Sequence, residues 1–402
     1  MKLLIWSTIL CLSNIVNAEF LLGLENIPEE FIQKIKNARI GLITNQTGKD
    51  QCGSNNISVL ERKGLSLKKI FTPEHGFEGN VPAGCDVVSV NNVESSIPII
   101  SLYRHGKGTG IGKTEADEID VFMFDIQDSG MRHYTYISTL LQTMEAAALY
   151  DKNYVVLDRP NPLGNRMEGP LVDVTQQSFI SIAPIPLRHG LTIGELAWYF
   201  NKSILKKPAK LHVIRMHDYN RSMGLTQMKM PFPALSPNIK HIQSCYGYSL
   251  LGLLGEVRPL DVGIGTDKAF QVILLPETLS YEDKKWNELQ HILKQHGISS
   301  SLYQRYNDAK KQNFKGLEIH ITDINNSKSF DALLSILQFF QKNGTELSFS
   351  KDFDTAIGTK KIRTFIKGST NYKELTHSIN SNLKDFLEKV QPALLYKPIP
   401  QC

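Results

Sequence analysis

The chain has 402 residues, 41% of them hydrophobic and 21% charged, and its formal net charge is +5. These are ordinary values for a globular protein, and the length exceeds what one hydrophobic core comfortably holds, so we expect two domains. The charge is mild, and no block or stripe of Lys and Arg accompanies it, which argues against a nucleic-acid partner.

The first eighteen residues have the pattern of a secretory signal peptide. Lys2 provides a positive start, residues 3–15 form a short apolar run, and Val16 and Ala18 place small residues before a cleavage point. This run is too short and too weakly apolar for a good membrane span, and no later run is long and apolar enough. We therefore expect a mature chain that begins at Glu19 and is periplasmic or secreted. A buried N-terminal helix is the alternative.

Four cysteines remain once Cys11 leaves with the signal peptide. An even number in an exported chain permits disulfides, and we favour the pairs Cys52–Cys85 and Cys245–Cys402. Free buried cysteines are the alternative. No CxxC pair occurs, which argues against a zinc site.

Between residues 38 and 216, short runs of apolar and β-branched residues alternate with helical stretches at 136–150 and 193–205. The second stretch begins with Thr192 and Glu195 in the spacing of a capping box. Near-continuous apolar strands are typical of sheets covered on both faces, so the alternation predicts an α/β fold with a doubly wound parallel sheet. The predicted strands are 38–44, 67–72, 97–102, 121–125, 154–157 and 210–216.

A proline-rich segment at 231–237 marks a change in this pattern. We therefore expect one domain at 19–238 and a smaller α+β domain at 239–402. In the second domain the predicted strands are 270–275 and 317–322, and the predicted helices are 281–296, 330–342 and 372–390.

Chemically useful side chains follow four of the predicted strands in succession. In open α/β sheets ligands bind outside the carboxyl ends of the strands, so these side chains are expected at one rim. Exposed loops are polar in any protein, but the share of Asp, His and Arg beside Gly and Pro favours a site here. The residues are Glu74, His75, Tyr103, Asp125, Gln127, Asp128, Arg132, Tyr134, Asp158, Arg159 and Asn161.

Several known signatures are missing from this rim. The first strand is followed by NQTG at 45–48 instead of a GxGxxG motif, and neither a phosphate-binding GxxxxGK[ST] loop nor a GxSxG nucleophile elbow occurs. The sequence therefore predicts no cofactor. A metal held by His75, Asp125 and Asp128 stays an alternative, although the usual ligand spacings are absent.

Carboxylate chemistry on a sugar fits the rim better. Glycoside hydrolysis needs one acid that protonates the leaving oxygen and a second group that stabilises or attacks the sugar. Glu74, in a stiff turn that contains Pro and Gly, is the candidate acid, and Asp125 and Asp128 are candidates for the second carboxylate. The alternatives are an ion pair of Glu74 with Arg132 and a loop-capping role for Asp125.

Two kinds of side chain could bind the substrate. Arg188 precedes the capped helix, and its guanidinium could pair with a substrate carboxylate, although a salt bridge between domains is equally compatible. Tyr103 and Tyr134 could stack on a sugar face or belong to the core.

Several segments together have the pattern of a known family. They are 41–48 (GLITNQTG), 73–77 (PEHGF), 124–128 (FDIQD), 134–138 (YTYIS), 157–164 (LDRPNPLG), 188–190 (RHG), 192–196 (TIGEL) and 236–238 (SPN). They resemble the NamZ family of exo-acting β-N-acetylmuramidases, glycoside hydrolase family 171, and the resemblance is strong over roughly residues 20–275.

The resemblance implies a Rossmann-like first domain, a smaller second domain and a cleft between them. It also implies release of N-acetylmuramic acid from the non-reducing end of peptidoglycan fragments. Carried over to this chain, Glu74 is the acid/base and His75 its neighbour in the motif. The substrate shell is then Asn45, Tyr103, Gln127, Arg132, Tyr134, Asp158, Arg159, Asn161, Arg188, His189 and Asn238.

One region departs from the family pattern. Where many members have EGT followed by GRGT, this chain has LGEVRP at 254–259 and GIGTD at 263–267. An arginine of the pattern is Ile264 here, and Arg258 could replace its charge. The departure bears on which sugar is bound and not on the fold.

Two rival functions use the same cleft. One is a non-catalytic binding protein for cell-wall sugars, and the other is a metal-dependent hydrolase that acts on an ester or amide. The sequence favours the glycosidase because Glu74, Asp125 and Asp128 exceed what recognition of hydroxyl groups requires.

Overall fold

The computed structural model describes residues 20–91, 97–225, 227–308, 310–369 and 371–402. The predicted signal peptide, residues 1–18, lies outside the described residues. Within them, no helix combines the length and the apolar character needed to span a membrane.

The first domain alternates strands and helices as the sequence predicts. Its strands are β1 (Ile40–Thr44), β2 (Leu67–Thr72), β3 (Val90–Asn91), β4 (Pro98–Ser101), β5 (Tyr103–Arg104), β6 (Lys107–Gly108), β7 (Val121–Asp125), β8 (Asn153–Leu157) and β9 (Lys210–Ile214). Its helices are α1 (Glu29–Ile35), α2 (Asn56–Arg62), α3 (Lys113–Asp117), α4 (Tyr136–Leu149) and α5 (Ile193–Ser203).

Seven of these strands form one sheet in the order β3-β4-β2-β1-β7-β8-β9. All neighbouring pairs are parallel except β3 with β4, where the edge strand runs antiparallel. The chain starts in the middle at β1, proceeds outward to β4, returns to β7 and proceeds outward to β9. The prediction of a doubly wound, Rossmann-like sheet is confirmed, and its switch point lies between β1 and β7.

Burial explains why these strands have little polar content. Every residue of β1 and of β7 is buried, because helices cover both faces of the sheet. The predicted capping box of α5 is also confirmed. The Thr192 hydroxyl accepts the Glu195 amide at 3.2 Å, and the Glu195 carboxylate accepts the Thr192 amide at 3.0 Å.

The second domain is smaller and contains antiparallel sheets. Its strands are β10 (Val257–Arg258), β11 (Val272–Pro276), β12 (Ser299–Asn307), β13 (Gln312–His320) and β14 (Ser348–Phe349), and β11-β13-β12 form one sheet. Its helices are α6 (Ile242–Leu251), α7 (Asp283–Gln295), α8 (Ser329–Lys342), α9 (Phe353–Ile357), α10 (Lys361–Ile366) and α11 (Tyr372–Val390).

Strand β12 is one of the elements that the sequence prediction missed, together with the helices α2 and α6. Its sequence, SSSLYQRYN, has no apolar run, and its residues are exposed or half-buried because it lies at the edge of its sheet. Backbone pairing with β13 over nine residue pairs creates this strand, and the pairing has no signature in the side chains.

The two domains share one hydrophobic core. Phe124 and Leu140 of the first domain and Leu254 and Phe340 of the second belong to the same buried cluster. The end of the chain returns to the first domain, where the Tyr396 hydroxyl donates to the carboxylate of Asp158, the residue that follows β8. The boundary at residue 238 stays a prediction.

The predicted disulfides are wrong in this structure. Cys52, Cys85, Cys245 and Cys402 are all free, and only Cys245 is buried. The thiol of Cys245 donates to the Ser129 carbonyl oxygen at 3.6 Å, and burial raises its pKa. Cys402 instead places its thiol 3.7 Å from the Leu383 carbonyl oxygen, away from Cys245.

Candidate active site

Glu74 and His75 lie in the turn that follows β2. The backbone φ of His75 is 72°, in the left-handed region that costs a non-glycine residue free energy, and Gly76 continues the turn with φ 78°. Nδ1 of His75 lies 2.8 Å from the Val81 carbonyl oxygen. Because a carbonyl only accepts, Nδ1 donates in this contact, and Nε2 is left to face the surroundings.

The carboxylate of Glu74 is held from two sides. Oε1 accepts the Gly84 amide at 2.9 Å, and Oε2 accepts the Thr135 hydroxyl at 2.6 Å. The phenol of Tyr103 faces the same carboxylate, and burial together with the Glu74 charge raises the pKa of Tyr103. The Glu74 side chain is thus fixed in position, and the ion pair with Arg132, which was the alternative to a role as acid, does not form.

A cavity of about 300 Å³ opens beside Glu74, between the two domains. This size is at the lower end of the range for small-molecule sites, about 300–1,000 Å³. From the first domain its wall includes Glu74, His75, His133, Tyr134, Thr135 and Ile180. From residue 238 onward it includes Asn238, Tyr248, Glu256, Ile264, Phe270 and Asp352.

Aromatic rings form one side of this cavity. Tyr248 contacts Tyr134 edge-to-face with ring centroids 5.9 Å apart, and it contacts Phe270 at 4.9 Å. The Tyr134 hydroxyl donates to the Leu235 carbonyl oxygen at 2.9 Å, which holds its ring in place. Burial raises the pKa of Tyr134 and of Tyr248 well above the ordinary value, so both phenols stay protonated. Such a wall suits the apolar face of a sugar ring.

His133 also lines the cavity, although no sequence motif pointed to it. Its ring packs on Tyr248 with centroids 4.7 Å apart, and neither ring nitrogen has a hydrogen-bond partner among the described residues. Burial, and to a lesser extent the neighbouring Arg132 charge, lowers the pKa of His133 to about 3. The imidazole is therefore neutral at any physiological pH.

Two further carboxylates line the cavity from the second domain. Glu256 is half-buried, and within the described residues no hydrogen bond or salt bridge reaches its carboxylate. Asp352 is exposed at the start of α9 and makes no capping bond to that helix. Glu256 lies in the segment 254–259 that departs from the family pattern, whereas the sequence gave no signal for Asp352. The packing of the second domain on the first brings both residues to the cavity.

Asp125, predicted to be catalytic, lies elsewhere. Its side chain is fully buried at the end of β7, where Arg159 donates to both carboxylate oxygens at 2.6 and 2.9 Å. Asn56 donates to one of the same oxygens at 2.7 Å. Asp125 and Arg159 bind each other in a buried ion pair and do not line the cavity. The predicted catalytic role of Asp125 and the predicted substrate contact of Arg159 are therefore corrected.

Asp128, the other candidate for the second carboxylate, is also behind the cavity wall. Its Oδ2 accepts the Gly130 amide at 2.6 Å and lies 3.3 Å from Nε2 of His189. Its Oδ1 is buried without a partner among the described residues. The structure thus brings Asp128 and His189 together as a pair that orders the loop after β7, and it does not bring them to Glu74.

The three other charged candidates are buried in structural networks. Arg132 donates to the carbonyl oxygens of Pro170 and Ile185 at 2.7 Å, and Arg188 donates to Glu168 at 3.0 Å. The fully buried carboxylate of Asp158 accepts the Gly194 amide, the Thr192 hydroxyl and the Tyr396 hydroxyl. None of the three side chains lines the cavity, and most of their donors and acceptors bond within the protein, although Nε of Arg132 and Nε of Arg188 have no partner among the described residues. The predicted substrate contacts of Arg132, Asp158 and Arg188 are therefore corrected.

Of the candidates with an amide side chain, one lines the cavity and three are buried in the first domain. Asn238 lines the cavity, and its Oδ1 accepts the Gly265 amide at 2.9 Å. Asn161 is buried between the amide of Leu163 and the carbonyl oxygen of Leu191. Asn45 and Gln127 are buried beside the switch point, and each keeps one polar atom, Nδ2 and Oε1, without a partner in the described part of the chain.

The described residues contain no group of three or more His, Cys, Asp or Glu side chains placed to hold a metal ion. The metal hypothesis for His75, Asp125 and Asp128 therefore has no set of ligands to support it. His75 lies at the cavity, whereas Asp125 is paired with Arg159.

The fold and the cavity together define a class of protein. A doubly wound α/β domain is joined to a smaller α+β domain, and carboxylates line a cavity large enough for one sugar. Carboxylates at a sugar-binding cavity are the catalytic groups of enzymes that cleave glycosidic bonds, so the class is that of glycosidases. The chain belongs to the NamZ family. The model described as "Exo-beta-N-acetylmuramidase NamZ, N-terminal" matches residues 40–243, and the corresponding C-terminal model matches residues 246–396.

Known proteins agree with this membership. The peptidoglycan beta-N-acetylmuramidase NamZ of Bacillus subtilis is 32% identical over 379 residues, which are 93% of this chain and 91% of the relative. Two crystal structures of DUF1343 family proteins from Bacteroides fragilis match with TM-scores of 0.84 and 0.73. Their identities are 30% and 25%, and each match covers 94% of this chain and 99% of the other.

Proposed function

We propose that this protein is an exo-acting glycoside hydrolase that releases N-acetylmuramic acid from the non-reducing end of peptidoglycan fragments. The observation that carries the proposal is Glu74, a carboxylate fixed by Gly84 and Thr135 at the wall of the cavity between the domains. Membership of the NamZ family and the named activity of the Bacillus subtilis relative support the choice of sugar. A cavity that holds about one sugar unit fits cleavage at a chain end.

Glu74 is proposed to be the acid that protonates the leaving oxygen. As the bond from C1 to that oxygen breaks, the proton of the Glu74 carboxyl passes to the oxygen and leaves a carboxylate. The Thr135 hydroxyl, which can both donate and accept, can bond to either form of Glu74. Water then adds to C1 and returns one proton, so that free sugar forms and Glu74 is restored.

Glu256 is proposed to be the second carboxylate of the reaction. It faces the same cavity as Glu74, and its oxygens are free of partners in the described part of the chain, whereas both oxygens of Asp125 are occupied by Arg159. A free carboxylate can stabilise the positive charge that develops on the sugar, attack C1, or remove a proton from water. For this reason we propose Glu256, in place of Asp125 and Asp128, for this role.

The aromatic wall and the amide of Asn238 are proposed to orient the sugar. Tyr134, Tyr248 and Phe270 offer ring faces and edges for the apolar side of a pyranose. Asn238 keeps its Nδ2 group for a substrate oxygen, because Oδ1 is bound to Gly265.

The experiment that tests this function is product analysis. Incubation of the protein with a disaccharide of N-acetylmuramic acid linked to N-acetylglucosamine should release both monosaccharides, detected by mass spectrometry. A chromogenic β-glycoside of N-acetylmuramic acid should also be hydrolysed, and the β-N-acetylglucosamine analogue serves as the control for the sugar. Binding of the disaccharide without release of either sugar would favour the binding-protein alternative.

We also propose that the protein acts in the periplasm or outside the cell. The support is the pattern of residues 1–18 and the location of the polymer that the proposed activity requires. Mass spectrometry of the protein from its native host should find Glu19 as the first residue. A chain that retains Met1 would contradict the proposal.

A further inference from the structure

Arg132 is a fully buried arginine without an anionic partner, and it lies behind the wall of the cavity. Within the described residues no salt bridge reaches its guanidinium group, and its Nε atom has no hydrogen-bond partner. Burial lowers the pKa of Arg132 to about 9, so the side chain stays positively charged at neutral pH. Burying a charge without a partner of opposite sign is costly, which makes Arg132 a candidate for a role in binding or catalysis.

Carbonyl oxygens surround the charged group but do not neutralise it. Nη1 donates to Pro170 and to Ile185 at 2.7 Å, and Nη2 donates to Ile357 at 2.7 Å. These dipoles take the place of water around the cation and carry no net charge. The carboxylate whose charge acts on Arg132 is that of Asp173, which is exposed, so water and salt screen it. The positive charge of Arg132 is therefore left largely uncompensated.

Two neighbours of the guanidinium group belong to the wall of the cavity. His133 follows Arg132 in the chain and lines the cavity, and Ala356, whose carbonyl oxygen lies 3.3 Å from Nη2, lines it as well. Gly358 leaves space for the guanidinium group, because a Cβ atom there would come within 2.5 Å of Nη2. Besides burial, the Arg132 charge contributes to the low pKa of His133, so the field of this charge extends to the wall.

No lysine or arginine lines the cavity itself within the described residues. Arg258, which the sequence analysis considered as a replacement for the charge of the family pattern, is exposed and donates to the Gly255 carbonyl oxygen at 2.6 Å. It does not line the cavity, so that hypothesis is corrected. The arginine whose charge acts on the cavity is therefore Arg132, from behind the wall.

The carboxylates of the wall differ from Arg132 in their exposure and in their task. Glu74 is protonated when it acts as the acid, and Asp352 is exposed, so its charge is screened. Glu256 keeps its charge for the reaction at C1 of the sugar. The lactyl group of muramic acid is bonded at C3, away from the groups that act at C1. Its carboxylate, if held beside His133, would lie next to the Arg132 charge, and such an attraction is strong where little water enters.

We propose that Arg132 determines the specificity for the lactyl carboxylate of muramic acid, by attracting that group from behind the wall without contacting it. This inference rests on the proposed function and names the residue that separates N-acetylmuramic acid from N-acetylglucosamine. Arg132 is thus a positioning residue that acts through the wall at His133. Its bonds to Ala356 and Ile357 hold the part of the wall that the second domain contributes in front of the same charge.

The experiment compares three 4-nitrophenyl β-glycosides, those of N-acetylmuramic acid, of its lactyl methyl ester and of N-acetylglucosamine. The ester nearly keeps the shape of the lactyl group and removes its charge, so the ratio of kcat/KM for the acid to that for the ester measures the effect of the charge. In the wild type this ratio should be about tenfold or more, as expected for attraction in a partly enclosed site. Added salt should leave it nearly unchanged, because the Arg132 charge is buried.

Two variants of Arg132 lose the same forked hydrogen bonds, and only one of them loses the charge. Arg132→Met should lower the acid-to-ester ratio about tenfold, whereas Arg132→Lys should keep most of it. The assays use mildly acidic buffer, which favours the charged form of a buried lysine, and rates are normalised to the folded fraction measured by circular dichroism. Arg258→Met is the matched control, because it removes an exposed arginine outside the cavity, and its ratio should equal that of the wild type.

The outcomes separate this inference from the proposed function. Hydrolysis of the acid and the ester at equal kcat/KM, or a preference for the ester, would overturn the inference and leave the function intact. Hydrolysis of neither would overturn the function itself. An acid-to-ester ratio that Arg132→Met leaves unchanged would also overturn the inference. If neither variant of Arg132 folds, the salt series on the wild type decides, because a preference that falls steeply with salt belongs to exposed charges and not to Arg132.

Discussion

The acidic side chains that the sequence offers as catalytic candidates fall into two groups in the structure, one buried in the fold and one at the cavity. Asp125 and Asp158 end strands of the parallel sheet and are buried, and each accepts at least three hydrogen bonds from the protein. Glu74 and Glu256 face the cavity, and no hydrogen bond or salt bridge within the described residues reaches the Glu256 carboxylate. What separates the two groups is access to the cavity: Glu74 accepts hydrogen bonds from Gly84 and Thr135 and still lines the cavity with Glu256, whereas Asp125 and Asp158 do not line it and stabilise the fold.

The sharpest test of this difference is Glu74→Gln. The amide keeps the shape of the side chain and cannot release a proton, so turnover of a muramic glycoside should fall about 10²–10⁴-fold. Stability to urea should stay close to that of the wild type, because Glu74 is not part of a buried ion pair. Near-wild-type hydrolysis would remove Glu74 from the mechanism.

For Asp125→Asn we expect a loss of stability with little loss of activity, the reverse of Glu74→Gln. The substitution leaves the buried Arg159 cation without its partner, which should lower the free energy of unfolding by about 3–5 kcal/mol. The activity of the molecules that remain folded should be largely retained. Urea unfolding and active-site-normalised rates measure the two effects.

Asp120→Asn is the matched control for this variant. Asp120 pairs with Arg39 at the surface, where both side chains are 44% exposed, so its loss should cost at most about 1 kcal/mol. If Asp125→Asn were as stable as Asp120→Asn and lost turnover, the division between the two groups of carboxylates would be wrong.

Glu256→Gln compared with Asp128→Asn separates the two candidates for the second carboxylate. Glu256→Gln should lower kcat by about 10²-fold, at the lower end of what acid–base groups contribute, with little change in stability. Asp128→Asn should mainly affect the loop after β7, because its carboxylate contacts Gly130 and His189. A large loss of kcat in Asp128→Asn alone would return the role to Asp128.

The smallest effect is expected for Tyr396→Phe, and it should depend on pH. Burial raises the pKa of Asp158 from 3.8 to about 6, and the Tyr396 hydroxyl opposes this by donating to the ionised carboxylate at 2.7 Å. Since the folded state holds the proton more tightly than the unfolded chain, Asp158 contributes most stability below about pH 4. That contribution is lost as pH rises through about 6.

Removal of the Tyr396 hydroxyl should therefore matter most above pH 6, where Asp158 is ionised. A loss of about 1–3 kcal/mol in the free energy of unfolding is expected at pH 8, and a smaller loss at pH 4. Tyr154→Phe is the control, because its hydroxyl bonds to the uncharged Thr143 at 2.6 Å. Urea unfolding at both pH values should show a pH-dependent deficit only for Tyr396→Phe.

Local patterns were sufficient to predict the parallel sheet and the turn that carries Glu74. Runs such as 40–44 and 121–125 are apolar because both faces of each strand are covered, and this requirement is visible in the sequence itself. The Thr192 capping box depends on residues three apart, so it too could be predicted. Strand β12 could not, because an edge strand has no comparable need for apolar side chains.

Only the tertiary structure decided which polar residues of the rim reach the cavity. The sequence placed Asp125, Asp128 and Asp158 at strand ends, and it contained no sign that Arg159, His189 and Tyr396 would occupy their carboxylates. Those partners lie 34, 61 and 238 residues away along the chain. Glu256 reaches the cavity in the same way, when the second domain packs on the first. Whether a carboxylate is paired or free depends on contacts between distant segments, and no periodicity of a single segment encodes them.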